Sequence, residues 1–308
     1  MRYRTLIVML FCATSLCAAQ RTFVSAASGS DANPCTRALP CRSFAVALLF
    51  TDPDGEVIVV DSGGYGPVTI TQPVSLISPD GIYAGITSVS GNAITVNAGN
   101  AAHVVVRNLS LEPQGSGNRG IDAQTVAALC VEKSAVTGFD HGFSFDPMTP
   151  AARLYIADTV VRRCNDGIYA GSGALIDADS IPFVENITAL FIQNAQATVR
   201  DSFAVGNDSG FWAGFAAYVL IENSEAAHNP TRFYASGGVI TLSRCSATFN
   251  VGQGIAATNS GTIYVSESTI TGNATGISPI SASIFSRGNN TLQANTTNGA
   301  FSNTVPAQ

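Results

Sequence analysis

"DSGFWAGFAAYVLIENSEAAHN" (208–229) runs directly into "PTRFYASGGVITLSRCSATFN" (230–250). The two segments share little identity but one layout: an apolar–aromatic pair near the start, an alternating run in the middle, Asn at the end. Anchored on that Asn, the layout extends along the chain. Asn165, Asn186, Asn207, Asn229, Asn250, Asn273 and Asn295 follow one another at intervals of 21, 21, 22, 21, 23 and 22 residues. Asp140 takes the same place one repeat earlier, with "DPMTPAA" (146–152) as an insertion. A large apolar residue follows each: Phe143, Ile168, Leu190, Phe211, Phe233, Ile255 and Ile277. A fixed period of this size means a solenoid.

The alternating runs "LYIADT", "ATVRDS", "VLIENS", "ITLSRC" and "IYVSES" argue for strands, and the Gly, Asn and Ser between them for turns. A leucine-rich repeat would need a dense Leu pattern, which is missing. Each repeat is therefore read as one coil of about three short strands, stacked on the next at about 4.8 Å. Stacking explains why layout persists while identity drifts, since each side chain must match only the size and polarity of its vertical neighbour. It also predicts that the Asn amides hydrogen-bond up the stack as a ladder. About ten coils follow from the length and the period. An open stack end would recruit other strands, and "SFAVALLF" (43–50), with Ser43 as N-cap, is placed to close the N-terminal one.

The opening "GEVIVVDSGGYGPVTI" (55–70), with Gly-Xaa-Tyr before a Val-Thr-Ile strand, together with the Asn column, resembles the pectin-lyase-like superfamily. "DANPCTRALPCRSF" (31–44) ahead of it resembles, more narrowly, bacterial secreted β-helix repeat proteins of unassigned function. The resemblance implies an all-β, right-handed parallel β-helix with a short N-terminal capping helix. It covers roughly 20–308 as a single domain, with the cap over about 20–54.

Ahead of that domain, "MRYRTLIVMLFCATSLCAAQ" places Arg2 and Arg4 before an apolar stretch and small residues. That is the pattern of a cleaved signal peptide over 1–19, too short for a permanent span. The mature protein is expected to be secreted or periplasmic, with no membrane span. Its formal charge falls from −6 to −8 once Arg2 and Arg4 are gone, which argues against a nucleic-acid partner. Only 12% of residues are charged, about half the usual share, and the abundance of small and β-branched residues suits strands. Five of the seven cysteines remain after cleavage. Cys35 and Cys41 lie close together in a Pro-containing loop and are expected to form a local disulfide. Cys130, Cys164 and Cys245 show no metal-ligand spacing and read as structural thiols whose pairing stays open.

No catalytic motif is evident. The Asn-Thr-Asp, Gly-Asp-Asp, Gly-His-Gly and Arg-Ile-Lys motifs of polygalacturonase-like hydrolases are missing, and "FDHGF" (139–143) echoes only the third. A pectate-lyase-like enzyme would need an Arg base beside Ca²⁺-holding carboxylates. Arg163 and Arg232, with Arg162, are the candidate bases, although solvated surface charge is the preferred reading of each. Asp158, Asp179 and Asp201 recur at one turn and would either splay into water or share Ca²⁺; turn-forming Asp is preferred, and no cofactor is expected. His103, His141 and His228 read as ordinary turn or surface residues.

The strongest functional signal is a second column. Tyr169, Phe191, Trp212 and Tyr234 each follow an inward apolar residue, so alternation turns them outward. Four rings at about 4.8 Å spacing make a strip about 15 Å long, flanked in sequence by Asp208, His228 and Arg232. Flat exposed rings suit the apolar faces of sugars, so the leading expectation is recognition of an extended polysaccharide. The alternatives are a polysaccharide lyase and a structural or adhesin-like surface protein. Rings that only brace the sheet, or that the 146–152 loop covers, would fit the last.

Overall fold

The computed structural model describes residues 19–115 and 117–305; the leader expected over 1–19 falls, but for Ala19, outside the described residues. Almost every described segment is a short strand paired in parallel with the strands one coil before and after. Two continuous ladders result, one of 21 strands and one of 11. The chain is thus a right-handed parallel β-helix, as expected. The second ladder takes one strand per coil, giving about eleven coils where the length had suggested ten.

Register accounts for the repeat. Phe143, Ile168, Leu190, Phe211, Phe233, Ile255 and Ile277 are successive partners, and all are buried. A second inward column runs Ile156, Ala178, Val199, Ile221, Leu242, Val265. A third takes the centres of the three-residue strands: Val161, Phe183, Ala204, Ala226, Ala247 and Ile270. Three inward rows per coil fill the bore, and each large apolar side chain buried there contributes about 1.5–3 kcal/mol.

The Asn ladder forms, with one correction and one break. Asn186 Nδ2 donates to Asn207 Oδ1 at 2.9 Å, and Asn207 Nδ2 to Asn229 Oδ1 at 3.2 Å. Asn273 Nδ2 donates to Asn295 Oδ1 at 2.8 Å. Between these pairs the ladder lapses, and the Oδ1 atoms of Asn250 and Asn273 are buried without a partner. Asn165 is not a member. Val161 pairs with Phe183, so the ladder position is Cys164, whose N–H donates to Asn186 Oδ1 at 3.0 Å. Asn165 stands one residue further on, exposed, and donates to Asp140.

The N-terminal end is closed as expected. The helix Phe44–Phe50 begins at Ser43, whose Oγ accepts from the Val46 N–H at 3.3 Å, and buries Phe44, Ala47 and Leu48. Tyr65, from the Gly-Xaa-Tyr motif, packs its ring 5.4 Å from that of Phe44 and donates to Asp61 Oδ1 at 2.6 Å. Cys35 and Cys41 form a disulfide in the same cap. Cys164 and Cys245 are buried thiols and Cys130 is half-buried.

Candidate functional site

Tyr169, Phe191, Trp212 and Tyr234 are successive register partners on one face of the stack. Their ring centroids lie 5.7, 4.7 and 5.2 Å apart, close to the coil spacing, with interplanar tilts of 56°, 35° and 55°. Each ring is half-buried, while Ala170, Ile192, Ala213 and Ala235 beside them are fully buried, so alternation points the rings outward. The column ends in small residues, Ser144 before Tyr169 and Ala256 after Tyr234. The 146–152 loop leaves Met148 80% exposed. Its bonds run to Gln124, Val126 and Asn100 on coils ahead of the strip and, through Ala152 O, to Leu175 on the coil that carries Tyr169, so it meets only the Tyr169 end.

At that end a polar cluster adjoins the strip. His141 pairs in register with Arg119 on one side and Asp166 on the other, and its ring centroid lies 5.6 Å from that of Tyr169. The Asp166 carboxylate, with Oδ2 3.1 Å from His141 Nδ1, raises the imidazole pKa above its ordinary value against the opposing effect of partial burial. Arg119 Nη1 donates to the buried Asp122 at 2.6 Å, and Gln124 and Asn92 donate to the same carboxylate. A cavity of about 250 Å³ lined by Arg119, Asp122, Gln124, Asp146, Met148 and Tyr169 opens between them.

A second cavity, of about 340 Å³, lies past the C-terminal ends of the strip strands, at the corner where the chain turns toward the next strand. Phe191, Gln193, Trp212 and Phe215 line it together with Ser236 and Asn259 from the following coils. Phe215 is 73% exposed, and the Nε1 of Trp212 is buried without a hydrogen-bond partner.

The candidate bases are not at the strip. Arg232 is corrected outright: it is 0% exposed and points into the bore, with Nε, Nη1 and Nη2 all unpartnered. Its strand starts at a corner, where two consecutive residues, Arg232 and Phe233, both face inward. Arg163 is 64% exposed on a turn and pairs with Glu185 at 2.9 Å; Arg162 donates to Thr137. The three-Asp stack is corrected as well. Asp158 lies in register with Ser180, Ser180 with Asp201 and Asp201 with Asn223, all at positive φ between 47° and 56°. Asp179 belongs to the neighbouring column, opposite Ala157 and Arg200. The three carboxylates therefore do not converge, and among the described residues no group of three His, Cys, Asp or Glu side chains could hold a metal ion.

Sequence reasoning missed the cluster around His141. "FDHGF" was the only signal, and the 146–152 insertion stretches the His141–Asp166 spacing to 25 residues, out of the 21–23 period.

A family model described as right handed beta helix region matches residues 148–297. No curated protein matches the chain. Among solved structures, tailspike protein 2 from Escherichia coli O157:H7 bacteriophage CAB120 is similar at a TM-score of 0.63 and 11% identity. That match covers 80% of this chain and 40% of the tailspike, so the chain spans well under half of the tailspike's length. Pectate lyase Pel9A is similar at a TM-score of 0.50 and 14% identity, covering 94% of this chain and 80% of the lyase. At these identities the likeness is one of fold.

Proposed function

We propose that this chain, a right-handed parallel β-helix protein of the pectin-lyase-like kind, recognises an extended polysaccharide along the Tyr169–Phe191–Trp212–Tyr234 strip. The observation that carries the reading is four partly exposed rings in unbroken register on one face, bordered by two cavities. A strip about 15 Å long presents apolar faces at intervals along a line, which suits a linear chain of sugar rings better than a compact ligand. The similar pectate lyase, named for a polysaccharide, agrees with that class of partner. The Cys35–Cys41 disulfide fits an oxidising compartment, and with it a periplasmic or secreted location; no described helix is long and apolar enough to cross a membrane.

Recognition is favoured over pectate-lyase-like elimination because, among the described residues, no unpaired Arg or Lys lines the cavities beside the strip. Arg119, the one guanidinium that lines a cavity beside it, donates to Asp122 at 2.6 Å, and an ion-paired guanidinium holds its proton. A glycan array read with the mature protein, Trp212→Ala and Tyr234→Ala tests the reading. Loss of a central aromatic anchor costs about 2 kcal/mol or more, so each variant is expected to bind about 30-fold more weakly. Undiminished binding by both would refute the strip. New ultraviolet absorbance from unsaturated ends on incubation with uronate polymers would instead establish a lyase.

A further inference from the structure

We infer that the cavity between Trp212 and Phe215 is a subsite for an uncharged pyranose ring, and that the strip selects neutral over uronate-containing polysaccharides. This rests on the proposed glycan strip and narrows its substrate class.

The cavity combines two kinds of wall. Phe191, Trp212 and Phe215 supply apolar faces, and Phe215, at 73% exposure, carries a whole ring into solvent. Large exposed rings beside a concavity mark a contact surface rather than a packing need. Gln193, Ser236 and Asn259 line it as well and bring two amides and a hydroxyl. Asn259 Nδ2 donates to Ser236 Oγ at 2.9 Å, which fixes that amide and presents its carbonyl oxygen as an acceptor. A face of apolar C–H groups ringed by hydroxyls is the ligand that answers both walls.

Two further observations set its charge. None of the residues lining this cavity is charged. The other strip cavity sets two carboxylates, Asp122 and Asp146, against one guanidinium, Arg119, already engaged by Asp122. Arg232, the basic residue next to the strip in sequence, is turned into the bore. A uronate carboxylate laid on the rings would meet no unpaired cation, since His141 beside Tyr169 already faces Asp166 and Asp140, and toward Tyr169 it would meet the carboxylates of Asp122 and Asp146. Burying an unpaired carboxylate is costly, whereas a neutral ring loses little.

Trp212 is the single tryptophan of the chain and belongs to both the strip and this cavity, so its emission reports on that surface without background from elsewhere. Wild-type protein is titrated with neutral oligosaccharides (gluco-, manno- and galacto-configured) and with oligogalacturonate and oligoalginate, at low and at physiological salt. Binding is also followed by calorimetry. A neutral series is expected to shift the Trp212 emission to shorter wavelength and to bind at least tenfold more tightly than either uronate. Phe215→Ala, which removes an exposed ring that lies outside the strip, and Gln193→Ala should each weaken that binding several-fold. Uronates binding as tightly as the neutral series would overturn the inference while leaving the strip intact. So would a Phe215→Ala variant that binds like wild type. If no glycan of either class binds, the polysaccharide reading fails first and the subsite with it.

Discussion

Replacing Arg232 with methionine should make this protein more stable. The side chain is wholly buried, its three guanidinium nitrogens have no partner, and its register neighbours Gly210 and Gly254 offer no polar side chain. Burial alone presses its pKa down to about 9. That still leaves it charged at neutral pH, where an uncompensated buried ion costs several kcal/mol. Met fills most of the same volume without the charge, and such replacements stabilise by about 1–4 kcal/mol. At about 2 °C per kcal/mol for a chain of this length, Arg232→Met is expected to raise Tm by about 4 °C in scanning calorimetry. The pH profile carries the sharper signature. A base whose pKa is depressed on folding binds fewer protons folded than unfolded. The penalty is therefore full below about pH 9 and is relieved as pH rises through the folded pKa. Cys164 and Cys245 pull the other way, because burial pushes their thiols up to about 11 and stability falls as pH climbs past the ordinary thiol value. Both proteins share those cysteines, so subtracting their stability curves isolates Arg232. The gain from Arg232→Met should shrink between pH 8 and pH 10. A variant less stable than wild type, with a difference that does not change with pH, would refute the account of an uncompensated charge.

The broken ladder predicts unequal costs for one kind of substitution. Asn207 Oδ1 accepts from the Asn186 N–H at 2.8 Å and from Asn186 Nδ2 at 2.9 Å, and its own Nδ2 donates to Phe183 O at 3.1 Å. Asn207→Ala strands these buried groups and should cost about 3 kcal/mol, whereas Asn250→Ala loses a single 3.3 Å bond to Ala226 O and should cost about 1 kcal/mol. Urea midpoints at constant m-value separate the two, and equal losses would contradict the register. Asp166→Asn should return the His141 pKa toward its ordinary value, read from the imidazole proton shifts; an unmoved titration would show that the carboxylate is not its cause. Because the folded pKa is raised, the Asp166–His141 contribution is full below the unfolded pKa and fades as pH rises through the folded one.

The fold was legible because stacking makes the same demand on every coil. Each inward position must be apolar and of similar size, so Ile168, Leu190, Phe211 and Phe233 recur in register without conserving identity. The errors share one physical origin. Turn lengths vary by a residue or two, so the nearest Asn or Asp at the expected spacing need not be the register partner. Cys164, a small buried thiol, fills the ladder position that Asn165 was assigned. Ser180 fills the turn position assigned to Asp179. Arg232 was misread because strict alternation fails at a corner. The better signal was the column itself: Gly142, Gly167, Ala189, Gly210 and Gly254 mark an interior position where a Cβ on Gly210 would stand 2.6 Å from the next coil's backbone oxygen. The cluster around His141 is assembled from strands on three coils with an insertion among them, so no local pattern announces it.

The same column logic bears on the rings. Asp122 and Ser144 precede Tyr169 in register, and Ala256 and Ser278 follow Tyr234, with parallel pairing continuous throughout. The ladder therefore holds with an acid, a hydroxyl or a methyl at this outward position, and nothing in the backbone demands an aromatic. Aromatic neighbours add about 0.5–1.5 kcal/mol per pair, a modest gain spread over three contacts. Four rings kept together, where smaller residues serve the fold on either side, are better accounted for by what they present outward. Alanine there should lower stability only modestly and leave the coils intact, so a loss of glycan binding in Trp212→Ala can be assigned to the surface rather than to unfolding.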